Sequence, residues 1–181
     1  HKPIFIILAL AMCPQLAPPA FAHTSESQLR ATASATGAFE GGPLLWSIES
    51  QARWSDETNG LQQTMVRPAL GYRVSDGLDL WAGYARIIIE RDENDIDEER
   101  FWQQASYDVA IFAGGALTGR TRLEQRLRST GDDTGWRVRQ QFRFVRPIDG
   151  TAVSMVVANE TFATLNQTDW GQSQGFDQNR V

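Results

Sequence analysis

From Leu44 onward, polar and apolar side chains alternate with a period of two. The clearest stretch runs from Thr118 to Arg128. Arg120, Arg122, Glu124, Arg126 and Arg128 take one face, and Leu117, Gly119, Thr121, Leu123 and Leu127 take the other. Arg137, Arg139, Gln141 and Arg143 then alternate with Trp136, Val138, Phe142 and Phe144. No helix places residues two apart on one face, so these segments are strands. The pattern predicts strands near 44–54, 61–74, 78–89, 99–112, 116–128, 136–146, 151–162 and from 176 onward. Such lengths exceed the usual soluble strand and match a tilted membrane crossing of about 9–11 residues. No later apolar run is long enough for a transmembrane helix.

The connections between these strands add a second signal. Ser55–Gly60, Ile88–Glu98, Ser129–Gly135 and Ala163–Gly175 read as longer loops, while Ser75–Gly77, Ala113–Gly115 and Pro147–Gly150 read as tight turns. Long and tight connections alternate, as they do in outer-membrane barrels with short periplasmic turns and long extracellular loops. A periplasmic N-terminus then puts the first, longer loop outside. A three-residue loop at Ala113–Gly115 sets Asp108 opposite Arg120, Ser106 opposite Arg122 and Gln104 opposite Glu124. A four-residue loop at Pro147–Gly150 sets Arg137 opposite Glu160, Phe142 opposite Met155 and Phe144 opposite Val153. Both registers bring like to like across the strands. The register across Ser75-Asp76-Gly77 stays open between strands 61–74 and 78–89.

In a bilayer the apolar face must point to lipid, which turns the arginine ladder inward. The expected fold is all-β, an antiparallel transmembrane β-barrel with about eight strands in this chain. Residues 1–22 read as an export signal: Lys2 begins it, Ile4 to Ala11 form the apolar core, and Ala20-Phe21-Ala22 a cleavage site. Residues 23–43 are small and polar and read as a flexible lead-in, and 44–181 as the barrel. The chain has no initiator methionine and stops in a strand-like pattern, so further C-terminal sequence is expected.

Composition sharpens this picture. Lys2 is the lone lysine and all other Lys/Arg positions are arginine, the residue suited to several hydrogen bonds in a confined polar network. A net charge of -5 argues against nucleic acid as a partner. The single cysteine, Cys13, would leave with the signal, and His23 would be the one remaining histidine. Histidine-based hydrolysis and Cys/His metal sites therefore lack their groups, and the expectation is a protein that is not an enzyme and needs no cofactor.

Several motifs carry a family likeness: Leu45-Trp46, Arg67-Pro68-x-x-Gly71-Tyr72, Glu98-x-Arg100-x-Trp102-Gln103-Gln104 and Arg120-x-Arg122-Leu123-Glu124-x-Arg126. Glu160-x-Phe162 and Phe176-Asp177-Gln178-Asn179-Arg180 complete the series. In order and spacing they resemble the bacterial family DUF2490, grouped with outer-membrane β-barrels, over roughly Leu44 to Arg180. The resemblance implies two further C-terminal strands, hence about ten in the complete protein. It implies no biochemical activity.

The candidate site is a polar lumen network of Arg100, Asp108, Arg120, Arg122, Glu124, Arg126, Arg137, Arg139, Arg143 and Glu160. Two readings follow. In the first, a narrow lumen is filled by ion pairs, with Glu49, Asp108, Glu124 and Glu160 as the carboxylates. Alternatively, rings of arginine line a small anion-selective or small-solute channel. A soluble periplasmic barrel with an apolar ligand inside would invert both faces. Membrane lipid and lipopolysaccharide are the expected surroundings. The acidic segment 90–99 reads as an extracellular loop whose oxygens suit divalent cations. Trp46, Trp54, Tyr72 and Trp136 are placed for an aromatic girdle.

Overall fold

A computed structural model describes residues 6–7, 28–55, 60–92 and 94–181. They form one antiparallel sheet in chain order. Its strands are β1 (Ile6–Ile7), β2 (Gln28–Ala38), β3 (Leu44–Ser55), β4 (Gly60–Ser75), β5 (Leu78–Ile89) and β6 (Ile96–Phe112). β7 (Gly115–Arg128), β8 (Gly135–Pro147), β9 (Ser154–Thr164) and β10 (Gly175–Arg180) complete it. All eight expected strands are present. The expected signal segment falls outside the described residues except for β1, which pairs with Ala35 and Ser34 of β2.

The lead-in reading of 23–43 is corrected. Residues 28–38 form β2, fully paired with β3 from Gln28↔Ser55 to Ala38↔Leu45. The apolar alternation is faint there because the outward positions are Ala31, Ala33, Ala35 and Gly37 rather than leucine or phenylalanine. Gly37 is required at its place, since a Cβ there would stand 2.7 Å from the indole of Trp46. The extra strand moves the first connection to 39–43, at the same end as the turns 76–77 and 113–114. Each added strand reverses the direction of the next. A periplasmic start at β2 and the loop-length rule therefore assign opposite ends to the outside.

β2 to β9 run from 11 to 17 residues. At about 3.3 Å per residue the longest reaches roughly 55 Å, ample for a tilted crossing of a ~30 Å hydrocarbon layer. The sheet is curled. Arg67 on β4 lies within electrostatic reach of Glu124 on β7 and Arg139 on β8, and Arg180 on β10 within reach of Arg30 on β2. Among the described residues the hydrogen-bonded strand order is open from β1 to β10.

Two registers differ from expectation, both by an even number. β6 and β7 pair as Asp108↔Thr118, Ser106↔Arg120, Gln104↔Arg122 and Trp102↔Glu124, with a bulge between Asp108 and Ala110. β8 and β9 pair as Arg137↔Thr164, Gln141↔Glu160, Phe142↔Asn159 and Phe144↔Val157. The cause in the second case is the connection 148–153, which is longer than the tight turn expected there. An even slip leaves side chains on their own faces, so the face assignment survives both errors except past the bulge, where Ile111 takes the inward parity and Phe112 the outward one. The register across Asp76-Gly77 includes a bulge between Arg73 and Ser75, which accounts for its ambiguity in the sequence.

The turn from β6 to β7 is the two-residue pair Ala113-Gly114, both left-handed, at φ 49° and 72°. That geometry matches the twist of a hairpin and favours Asn-Gly over Ala-Gly. Ala113→Asn is expected to raise stability by several tenths of a kcal/mol, read as a higher urea midpoint for unfolding, because asparagine adopts this conformation more readily than alanine.

A candidate functional site on the inward face

The sheet buries charge and exposes bulk. Glu98 and Glu124 are 0% and 1% exposed, whereas Leu70 is 64% and Phe176 is 72% exposed. Tyr72, Trp54 and Trp136 also point outward, together with Val66, Val74, Leu80, Phe101 and Phe142. The inverted arrangement, apolar inside and arginine outside, is therefore not the one adopted. Polar side chains on the outer face serve one another: Gln103 and Gln125 exchange hydrogen bonds, and Thr121, Gln140 and Tyr107 form a closed set.

Inside, three carboxylates each hold two or more guanidiniums. Glu98 accepts from Arg100 Nε and Arg126 Nε at 2.6 Å each and from Arg128 Nε at 3.0 Å. Glu124 accepts from Arg137 Nη2 at 2.7 Å and Arg139 Nη1 at 2.9 Å, with Arg122 Nη1 3.7 Å away. Glu160 accepts from Arg120 Nη2 at 2.7 Å and from Arg139 at 3.0 Å. Arg139 thus links Glu124 to Glu160. These pairs run across strands because inward positions of β6, β7, β8 and β9 stand side by side in the observed register. Aromatic rings carry part of the surplus positive charge. Trp102 lies 4.2 Å from the Arg122 guanidinium, and Phe162 4.7 Å from that of Arg139.

Eight of the ten expected lumen residues meet in these three groups: Arg100, Arg120, Arg122, Glu124, Arg126, Arg137, Arg139 and Glu160. Asp108 and Arg143 stand apart. Asp108 does not face Arg120 as expected; it borders a cavity of about 290 Å³ near the Asp76-Gly77 turn, together with Asp79, Ser106, Arg120 and Gln141. Arg143 is exposed, with its carbonyl accepting from the Thr118 hydroxyl. Arg137 meets Glu124 rather than Glu160.

Glu98 is the central correction. It was grouped with the acidic loop 90–99, but β6 begins at Ile96 and carries Glu98 into the interior. Its parity with Arg100 and Trp102 is the signal that identifies it. The acidic segment shrinks accordingly, and among the described residues no three His, Cys, Asp or Glu side chains group to hold a metal ion. Arg67, which pairs with Glu49 at 3.3 Å, and Arg128 also join the network beyond expectation.

At one end the loops 129–134 and 165–174 fasten together. Asp169 accepts from the backbone N–H of Asp132 at 2.8 Å and of Asp133 at 3.2 Å, while Trp170 Nε1 donates to the Asp133 carbonyl at 2.7 Å. Gln172 dips inward, accepting from Arg126 Nη1 at 3.2 Å and donating to the carbonyl of Asn166 at 3.2 Å. These loop residues, far from any strand pattern, gave no sequence signal.

Fold and site together define a curled all-β protein with an ion-paired polar interior and an apolar exterior. Residues 28–181 match the family described as "Protein of unknown function (DUF2490)", and the chain belongs to that family. It is 37% identical over 143 residues to an uncharacterized protein of Methylorubrum extorquens, covering 77% of this chain and 63% of that relative. The chain thus spans less than two thirds of the length of the curated relative it matches. No solved structure matches it.

Two outcomes follow from this geometry. Glu98→Gln leaves Arg100, Arg126 and Arg128 without their counter-charge and is expected to cost about 3–5 kcal/mol. Arg86→Gln, which breaks the exposed pair with Asp97, is expected to cost under about 1 kcal/mol. Urea-unfolding midpoints of the two variants make the comparison. The Asp169 carboxyl is held below the usual aspartate range by the backbone N–H of Asp132 and then that of Asp133. The charged form is favoured when folded, so the loop contact is present above an unfolded aspartate's pKa of about 4 and is lost as pH falls through the lowered value. Trp170 emission is expected to change in that acid range, and Asp169→Asn to abolish the change.

Proposed function

We propose that this chain forms the wall of an outer-membrane β-barrel, exported through a cleaved N-terminal signal, whose lumen is filled by paired arginines and carboxylates and whose role is structural. The observation that carries the reading is the inversion of faces: fully buried Glu98 and Glu124 inside, exposed Leu70, Tyr72, Val74 and Leu80 outside. In water such an exterior would be a large apolar patch requiring a partner, whereas lipid acyl chains solvate it directly. Aromatic side chains near both strand ends support it: Trp46, Tyr72 and stacked Phe112 and Phe144 toward one end, Trp54 and Trp136 toward the other. In this reading lipid and lipopolysaccharide are the partners, and the exposed Asp92 and Asp95 meet divalent cations at the lipopolysaccharide surface. No catalytic group is assigned, since β2 to β10 contain no histidine or cysteine.

A second reading is favoured by one observation: on the inward face the arginines outnumber the carboxylates that serve them, as in an anion-selective pore. Cell fractionation of the full-length product, followed by gel mobility with and without boiling, tests the first reading. Recovery in the outer membrane with a heat-shifted band is the expected result; soluble periplasmic recovery with no shift overturns it. Bilayer conductance of the extracted protein then separates a filled lumen, which passes no current, from a pore.

A further inference from the structure

Three buried N–H donors on the inward face, Arg67 Nε, Trp102 Nε1 and Arg122 Nη1, have no acceptor among the described residues. They come from β4, β6 and β7, and their side chains lie near one another. The Arg122 guanidinium lies 4.2 Å from the Trp102 ring, and Arg67 is the foremost like charge acting on it. The Trp102 indole in turn lies across Gly83 toward the Pro68 carbonyl beside Arg67; a Cβ at Gly83 would stand 2.3 Å from that ring and 2.8 Å from that carbonyl. Gly83 thus makes room for an indole whose N–H serves nothing among the described residues. Trp102 is 3% and Arg122 5% exposed.

The charge balance around these donors is also unfinished. Arg122 spends Nε and Nη2 on one neutral acceptor, Gln104 Oε1, at 2.8 and 2.6 Å. Its nearest carboxylate, Glu124, already accepts from Arg137 and Arg139 and stands 3.7 Å away. Arg67 has Glu49 at 3.3 Å on Nη1, while its Nη2 reaches only the Met65 sulfur. Buried donors are seldom left without acceptors, and a buried guanidinium is costly without a counter-charge. Water would satisfy the donors and leave the charge. An oxyanion satisfies both, because its several oxygens accept from donors on different sides and match the guanidinium fork.

We infer that Arg67, Trp102 and Arg122 form a binding site for a small inorganic oxyanion of the phosphate or sulfate type inside the curled sheet. The site rests on the enclosed polar face and stands whether the protein is recovered from the membrane or from the periplasm. The anion completes the ion-pair network as a ligand, placed between the Glu49–Arg67 pair and the Glu124 group.

The test uses the full chain, purified from whichever fraction holds it, in equilibrium dialysis with labelled inorganic phosphate at constant ionic strength set with chloride. Saturable binding of one phosphate per chain, displaced by sulfate, is expected. Trp102→Phe keeps the ring beneath Arg122 and deletes the Nε1 donor, and should weaken binding roughly tenfold or more, the worth of a hydrogen bond to a charged group. Trp170→Phe alters a tryptophan beside Arg126 and Arg128 instead and should leave binding unchanged. Unboiled gel mobility and the unfolding transition establish that each variant is folded. Should Trp102→Phe fail to fold, Arg122→Lys, which keeps the charge and loses the fork, should show the same weakening. Absence of saturable phosphate binding, binding that chloride abolishes at equal concentration, or equal weakening by the Trp102 and Trp170 variants would each overturn the assignment.

Discussion

A guanidinium removed from water loses several kcal/mol of hydration, and only a close carboxylate with well-aimed hydrogen bonds returns it. Three inward carboxylates of this protein, Glu98, Glu124 and Glu160, are therefore shared. Glu98 ties β6 to two positions of β7, Glu124 ties β7 to β8, and Glu160 ties β9 to both. Arg139, bound to Glu124 and Glu160 together, joins two of these groups into one continuous network. The pairs bridge neighbouring strands at fixed heights, so a slip of any strand would leave buried charge uncompensated. Register here is enforced from the interior by electrostatics, where a sheet with an apolar interior would enforce it by packing.

The apolar core is correspondingly small. Met65, Ala85 and Ile87 pack together with Ile89 against them, a patch on β4 and β5 where the charged ladder thins out. Leu45, Trp102 and Phe162 are buried elsewhere on the inward face, and many of the other large apolar side chains, such as Leu70, Val66 and Phe142, are exposed outside. Polar groups on that outer face include mutually bonded sets, such as Gln103 with Gln125. Rings placed over glycines, Trp46 at Gly37, Trp81 at Gly71 and Trp102 at Gly83, bring aromatic surface down onto neighbouring strands. At one mouth the paired loops press Gln172 onto Arg126 and Trp170 onto Arg126 and Arg128, so the Glu98 group is sealed from that side.

The strands from Leu44 onward and their two faces were legible because a period of two needs no knowledge of neighbours. The same logic found eight of the ten network residues, Arg122 and Glu124 among them. It missed β2, whose outward alanines and glycine carry too little contrast to register. It also misplaced Glu98, because five acidic residues before it disguise the start of β6 as a loop. Asp108 and Arg143 had the right parity but lie beyond the paired groups, toward the end of the sheet where the bulge after Asp108 shifts the partners.

Alternation of polar and apolar residues thus determined by itself that this is an all-β antiparallel chain, and which side chain belongs to which face, since each rests on local backbone geometry. Who pairs with whom was decided by tertiary structure. A one-residue bulge together with a two-residue turn in place of three, and a lengthened connection, shift the register by two and four positions. The proximity of Arg67, Trp102 and Arg122 likewise depends on the curl of the sheet, which brings β4 toward β7 and which no run of residues records.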